Sequence, residues 1–178
     1  MSARVEAIAL HASQTLHASC VAIGESGVLI RGPSGAGKSQ LALVLLAQAR
    51  QRGAFAALVA DDRVLVKRAG GRLLASPHPA IAGQFEARGA GIFADRYEPK
   101  VVLGLVVDLE QEVERLPLRR QLATCVAGVT LPRLTLVAGR AGLYEGGLVL
   151  DFVLMSQRDS GPPATTFRVG KGGYSTEL

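Results

Sequence analysis

The chain has 178 residues, 48% of them hydrophobic, enough for one domain with a real core and too many for a disordered chain. Aromatics are only 4% and Trp is absent, so Ala, Val and Leu must do the packing, and no apolar run reaches the ~18 residues of a membrane helix. A formal charge of +5 gives a basic surface, but the arginines are spread out with little aromatic interleaving; this argues against nucleic acid and suits solvent, an acidic protein partner or phosphate.

In chain order, Thr15 to Ile23 reads as a strand with mixed faces, carrying His17 and Cys20. A turn over Gly24 to Gly27 leads to a second strand, Val28 to Arg31, which feeds the stretch RGPSGAGKSQ. That stretch fits G-x-x-x-x-G-K-S over Gly32, Pro33, Ser34, Gly35, Ala36, Gly37, Lys38 and Ser39. Its glycines let successive N–H groups converge on phosphate oxygens, and the following helix points its positive end at them. Lys38 is placed to reach the β- and γ-phosphates of a nucleoside triphosphate, and the Ser39 hydroxyl to ligate Mg²⁺. Ser39 to Gln51 has strong helix formers without Gly or Pro and is apolar all round, so it reads as a largely buried helix stopped by Gly53.

A buried strand then ends at Asp61-Asp62, followed by two strands joined at Gly70-Gly71. At the carboxyl edge of a sheet one such acid can serve the Mg²⁺ shell and the other can take a proton from an attacking hydroxyl; a solvated turn is the plainer alternative. Pro77-His78-Pro79 breaks the pattern, and a short helix is expected over Ala80 to Phe85 before the glycine-dense EARGAGIF. Within it Glu86 and Arg88 form a salt-bridged turn or, alternatively, contact metal or phosphate. Lys100 to Glu110 is a central strand and LPRLTLVAGR another, with a last helix over Ala141 to Gln157. Residues 1–158 read as one domain and 159–178 as a mobile tail. Cys20 and Cys125 lack any ligand spacing and read as buried free thiols in a reducing cytoplasm.

Taken together, LHASCVAIGESGVLIRGPSGAGKS, LVADDRV and EARGAGIF resemble the catalytic domain of HPr kinase/phosphorylase. The resemblance is strongest over residues 10 to 110. It rests on a His-bearing strand at a set distance from the P-loop, then the Asp pair, then a Glu-x-Arg-Gly-x-Gly signature. It implies an α/β P-loop nucleotide-binding domain with a mixed β-sheet. It also implies ATP- and Mg²⁺-dependent phosphorylation of a serine on HPr, the phosphocarrier of the sugar phosphotransferase system, with a phosphorolytic reverse branch.

By the same resemblance, Lys38 and Ser39 bind triphosphate and Mg²⁺, and Glu86 completes the metal site. Asp62 is the base toward the target serine, Asp61 supports metal and water, and His17 sits by the phosphates. Arg88, Gly89 and Gly91 belong to the signature loop, and Arg140 stands near a catalytic arginine position. A cytoplasmic homo-oligomer, a hexamer in this family, is implied, with no nucleic-acid or membrane partner. The chain also looks like a short form, similar to those of α-proteobacteria, that begins close to the catalytic domain. Its C-terminal part lacks the basic, methionine-containing loop linked to dephosphorylation, so transfer to the carrier is expected to dominate. Two other readings stay open: a P-loop kinase acting on a small metabolite, and a nucleotide sensor without transfer.

Overall fold

The computed structural model describes residues 13–158 except 88, 90 and 95. In chain order it contains β1 (Gln14–Ile23), β2 (Ser26–Arg31), α1 (Lys38–Gln51), β3 (Ala56–Ala60), β4 (Arg63–Ala69) and β5 (Arg72–Pro77). These are followed by β6 (Gln84–Ala87), β7 (Gly91–Ala94), β8 (Val101–Glu110), β9 (Ala123–Val126), β10 (Val129–Val137) and α2 (Leu143–Arg158). Strands β6 and β7 form a separate hairpin, and the other eight make one mixed sheet. β8 runs parallel to β2 and β10, and the remaining pairs are antiparallel.

The long β1 has two jobs. Its first half pairs with β4, and its second half pairs with β2 on one side and β3 on the other. Because β5 pairs with β8 and β8 with β2, the pairings β1–β4–β5–β8–β2 return to β1 and close a ring. The strands therefore serve two cores. One is made wholly of strand residues, among them Cys20, Leu29, Val64, Leu73 and Leu103. In the other, Val21, Ile30, Leu105 and Val107 pack against Leu41 and Leu45 of α1 and Val149 and Leu150 of α2.

Leu103 and Leu105 are two residues apart yet serve opposite cores. The β2–β8 register slips there, from Gly27↔Leu103 to Val28↔Leu105, which leaves Gly104 as an extra residue. Such a bulge inverts the alternation of a strand. Glycine suits it, since a Cβ at this position would meet the Ser26 hydroxyl at 2.1 Å.

Three expectations need correction. The helix over Ala80 to Phe85 is a single 3₁₀ turn, Pro79–Ile81, followed by β6, because Gly83 takes a left-handed φ of 73° that ends it. α1 buries one side only, through Leu41, Ala42, Leu45, Leu46 and Ala49, while Gln40, Ala47 and Arg50 are exposed. Cys125 is exposed, because it lies on β9, an edge strand that the apolar pattern did not reveal. β9 joins β10 through Ala127-Gly128, both with positive φ (47° and 76°), as a tight two-residue hairpin requires. The expected tail, residues 159–178, lies outside the described residues. No helix among the described residues is long and apolar enough to cross a membrane.

Cys20 is fully buried, and loss of hydration pushes its thiol well above the ordinary range. A disulfide-exchange reagent at neutral pH should therefore label one thiol, Cys125, in the native protein and both in denaturant, as a thiol titration would read.

Candidate active site

The site forms where β2 leaves the sheet and turns into α1. Gly32 has φ 154° and lies against β8, where a Cβ would stand 2.9 Å from Leu109 Cβ. Gly35 and Gly37 have φ 77° and 96°, a backbone that other residues enter at a cost. Gly37 caps α1 without a side-chain hydrogen bond, and the first turn carries no acid. The N–H groups at this helix start are thus not taken by a capping side chain, which is the arrangement an anion uses.

Lys38 is the first residue of α1, and its ammonium folds back over the loop. Nζ lies 3.1 Å from Gly32 O, 3.0 Å from Pro33 O and 3.1 Å from His17 Nε2. An ammonium has three protons, and here each has an acceptor. Burial lowers the Lys38 pKa, and the charges of Asp62 and Asp61 work against that fall. With Nε2 accepting from Lys38, a neutral His17 carries its proton on Nδ1, which lies 2.9 Å from Asp62 Oδ1. The β1–β4 register, with His17 opposite Arg63, brings this ring beside the aspartate.

The two aspartates occupy different surroundings. Asp61 is buried, and its Oδ1 accepts from the Ser39 hydroxyl at 2.9 Å and the Ser19 hydroxyl at 2.5 Å. Asp62 is exposed, with φ 66°, at the centre of a three-residue turn closed by Arg63 N–H to Asp61 O at 2.8 Å. Such turns are rare and strained, and strain of this kind gathers at functional sites.

Ser39 and Asp61 offer hard oxygen donors. Among the described residues no group of three or more His, Cys, Asp or Glu could hold a metal ion. This donor set fits Mg²⁺, which typically takes one or two protein groups and completes its shell with phosphates and water. Glu86 is exposed on β6. Gly89 and Gly91 have positive φ in the β6–β7 hairpin, which is packed by stacking of Phe85 on Phe93. Arg88 lies outside the described residues. Arg140 is exposed but close to the loop: Gly139 N–H donates to Ala36 O at 2.9 Å, and a Cβ on Gly37 would meet Ala141 Cβ at 3.3 Å.

Two features escaped the sequence reading. Ser19 stands two residues after His17 on the same strand face, and the only hint was a hydroxyl in an apolar run. Asp108, near the end of β8, receives a bidentate Arg31 guanidinium at 2.7 and 2.8 Å, and Arg133 from β10. Burial works to raise its carboxyl pKa, but the hydrogen bonds from Arg31 and Arg133 outweigh this and hold it below the usual range. Arg31 directly precedes Gly32, so the network pins the strand end from which the loop departs.

Residues 8–140 match the HPr serine kinase C-terminal domain model. The chain belongs to this family. It is 38% identical over 133 residues to the HPr kinase/phosphorylase of Chlorobaculum tepidum, covering 67% of this chain and 37% of that protein. It is 34% identical over 142 residues to that of Neisseria meningitidis serogroup C, covering 69% and 42% respectively. The chain thus spans about two fifths of the length of these relatives. A solved structure of the HPr(Ser) kinase/phosphatase from Coxiella burnetii superposes with a TM-score of 0.64 at 27% identity, over 81% of this chain and 99% of that one. The family match ends at Arg140, and α2 lies beyond it.

The strain at Asp62 is testable apart from any chemistry. Its pair with His17 is more than half exposed on both sides and is worth little. Asp62→Gly should leave stability to denaturant unchanged or raise it by about 1 kcal/mol, because glycine takes the turn without penalty.

Proposed function

We propose that this domain catalyses ATP- and Mg²⁺-dependent phosphorylation of a serine on an HPr-type phosphocarrier. The observation that carries the reading is the exposed Asp62 carboxylate, held by His17 at the mouth of a P-loop whose lysine holds His17 in turn. Family membership supports the same reaction class. Between Asp62 and Val101 the described residues form strands and one 3₁₀ turn. They include no lid helix of the kind a small-metabolite kinase folds over its substrate, which favours a protein acceptor.

Mg²⁺, when bound, would neutralise charge on the phosphates. Ser39 and Asp61 would hold it, with Glu86 as a further ligand. The loop N–H groups would bind the β- and γ-phosphates, and Lys38 would join them by exchanging a loop-carbonyl acceptor for a phosphate oxygen while keeping His17; together they would orient the terminal phosphorus. Asp62 Oδ1 is engaged by His17, which leaves Oδ2 to accept the serine proton as the serine oxygen bonds to that phosphorus and ADP departs. His17 positions the carboxylate, and Arg140 would offset charge on the transferring group. The reverse branch, attack of inorganic phosphate on phosphoserine to release pyrophosphate, would be weak. It brings another anion to the site, and the sequence after Arg140 supplies no basic loop. In this reading the protein acts in the cytoplasm, with hexameric assembly following from the family resemblance.

Incubation with γ-labelled ATP and the HPr-type carrier of the same organism tests the reading. Label on a carrier serine supports it. Label in a small molecule, or nucleotide binding without turnover, would replace it with one of the alternatives. Lys38→Ala should weaken nucleotide binding and reduce transfer to background, since the charge facing the phosphates is lost. Asp62→Asn should bind nucleotide like the parent in an equilibrium titration while transfer falls by ~10²–10⁴-fold. Equal losses in binding and transfer would make Asp62 a metal ligand instead.

A further inference from the structure

The outer face of β4 and β5 is a solvent-facing ledge beside Asp62. Register fixes which side chains share it. His17 faces Arg63, Lys67 faces Leu74, and Ala69 faces Arg72. The alternate residues Val64, Val66, Leu73 and Ala75 fill the strand core, so Arg63, Leu65, Lys67, Arg72 and Leu74 point the other way. Arg63, Lys67 and Arg72 are exposed, and Leu65 and Leu74 are half-buried. No acid occurs among the β4 and β5 residues. None of the three cations has an ion pair among the described residues. From Arg63 to Ala69 the ledge runs for about 20 Å.

We infer that this ledge is where the acceptor protein docks, with an acidic surface next to its reactive serine laid along Arg63, Lys67 and Arg72. The inference rests on the functional reading above and adds the chemistry of the partner. A serine that reaches Asp62 must belong to a surface lying over what adjoins Asp62. Arg63 is the next residue in the chain, and it stands opposite His17, the residue that orients the aspartate. An acidic partner gains from three uncompensated cations with apolar Leu65 and Leu74 between them, whereas a basic partner is repelled. Charges at such a rim act mainly through encounter and salt dependence.

The test is steady-state phosphorylation of the HPr-type carrier by the parent and by the double variant Arg63→Glu/Lys67→Glu, at about 20 and about 300 mM salt. Reversal of both charges should raise the KM for the carrier about tenfold or more at low salt and flatten its salt dependence. Nucleotide affinity, read by direct titration, should hold. Arg63→Lys/Lys67→Arg, which keeps both charges, should retain most of the parent KM. Unchanged carrier KM and salt profile in the reversed variant would overturn the inference. So would a change only in self-association by sedimentation, or only in binding to an oligonucleotide, since the ledge would then serve another copy or a nucleic acid. If the parent labels no serine on the carrier, the functional reading fails and takes this one with it; parent-like labelling by the reversed variant sinks the docking ledge alone.

Discussion

A buried ammonium with three protons and three acceptors holds the site in shape. Removing a charged amine from water is costly unless its donors are all used, and Lys38 uses its three on Gly32 O, Pro33 O and His17 Nε2. Two of these acceptors belong to the loop itself, so satisfying the lysine also closes the loop. The third fixes the histidine tautomer, and through it the side of the ring that meets Asp62. The carboxylates of Asp61 and Asp62 offset part of the burial penalty. Charge balance, loop shape and the orientation of the exposed acid are therefore set by one side chain.

That arrangement needs a rigid floor, and β8 supplies it. Leu109 lies under Gly32 closely enough to exclude a side chain there, and Asp108 ties Arg31 to Arg133 across three neighbouring strands. The Gly104 bulge lets one strand serve both cores: Leu103 faces the all-strand core, while Leu105, Val107 and Leu109 face the helices. Without the inversion Leu105 would turn away from α1, and the loop would lose the layer that braces the helix behind it. The bulge lies several residues from the phosphate loop, yet it determines which side of β8 that loop rests on.

What could be read in the sequence was what local chemistry demands. The glycine spacing before Lys38, the helix formers after it and the acid pair closing an apolar run each carry their signal within a few residues. The order of His17, the loop, Asp61-Asp62 and the Glu86 signature pointed to the family for the same reason. Ser19 and Asp108 were illegible because their partners, Asp61 and the two arginines, lie 25 to 77 residues away. β9 was missed because its turn places an alanine, Ala127, where Asn or Asp would have announced a hairpin. With β9 unseen, Cys125 in its apolar context read as buried, although every second residue of an edge strand can face water. At Ala80 to Phe85, helix propensity lost to the positive φ of Gly83 and to strand pairing of Phe85 with Phe93.

The adjacent aspartates show how one backbone distortion separates two chemistries. Neighbouring residues of an extended strand project to opposite sides of the sheet, which alone would take one carboxylate away from the phosphate loop. Here β3 ends at Ala60, β4 starts at Arg63, and the connection is closed by the Arg63 N–H to Asp61 O bond with Asp62 at φ 66°. Asp61 stays inside, held by hydroxyls from β1 and α1, while Asp62 remains at the mouth with one oxygen committed to His17. The buried acid has a donor on each flank and suits a cation. The exposed acid has, among the described residues, one oxygen outside the His17 contact and access to solvent, and suits a proton taken from an incoming hydroxyl. Their surroundings are not interchangeable, because exchanging them would require the strained turn to fall one residue earlier, where the β1–β3 pairing of Cys20 with Ala60 holds the chain extended.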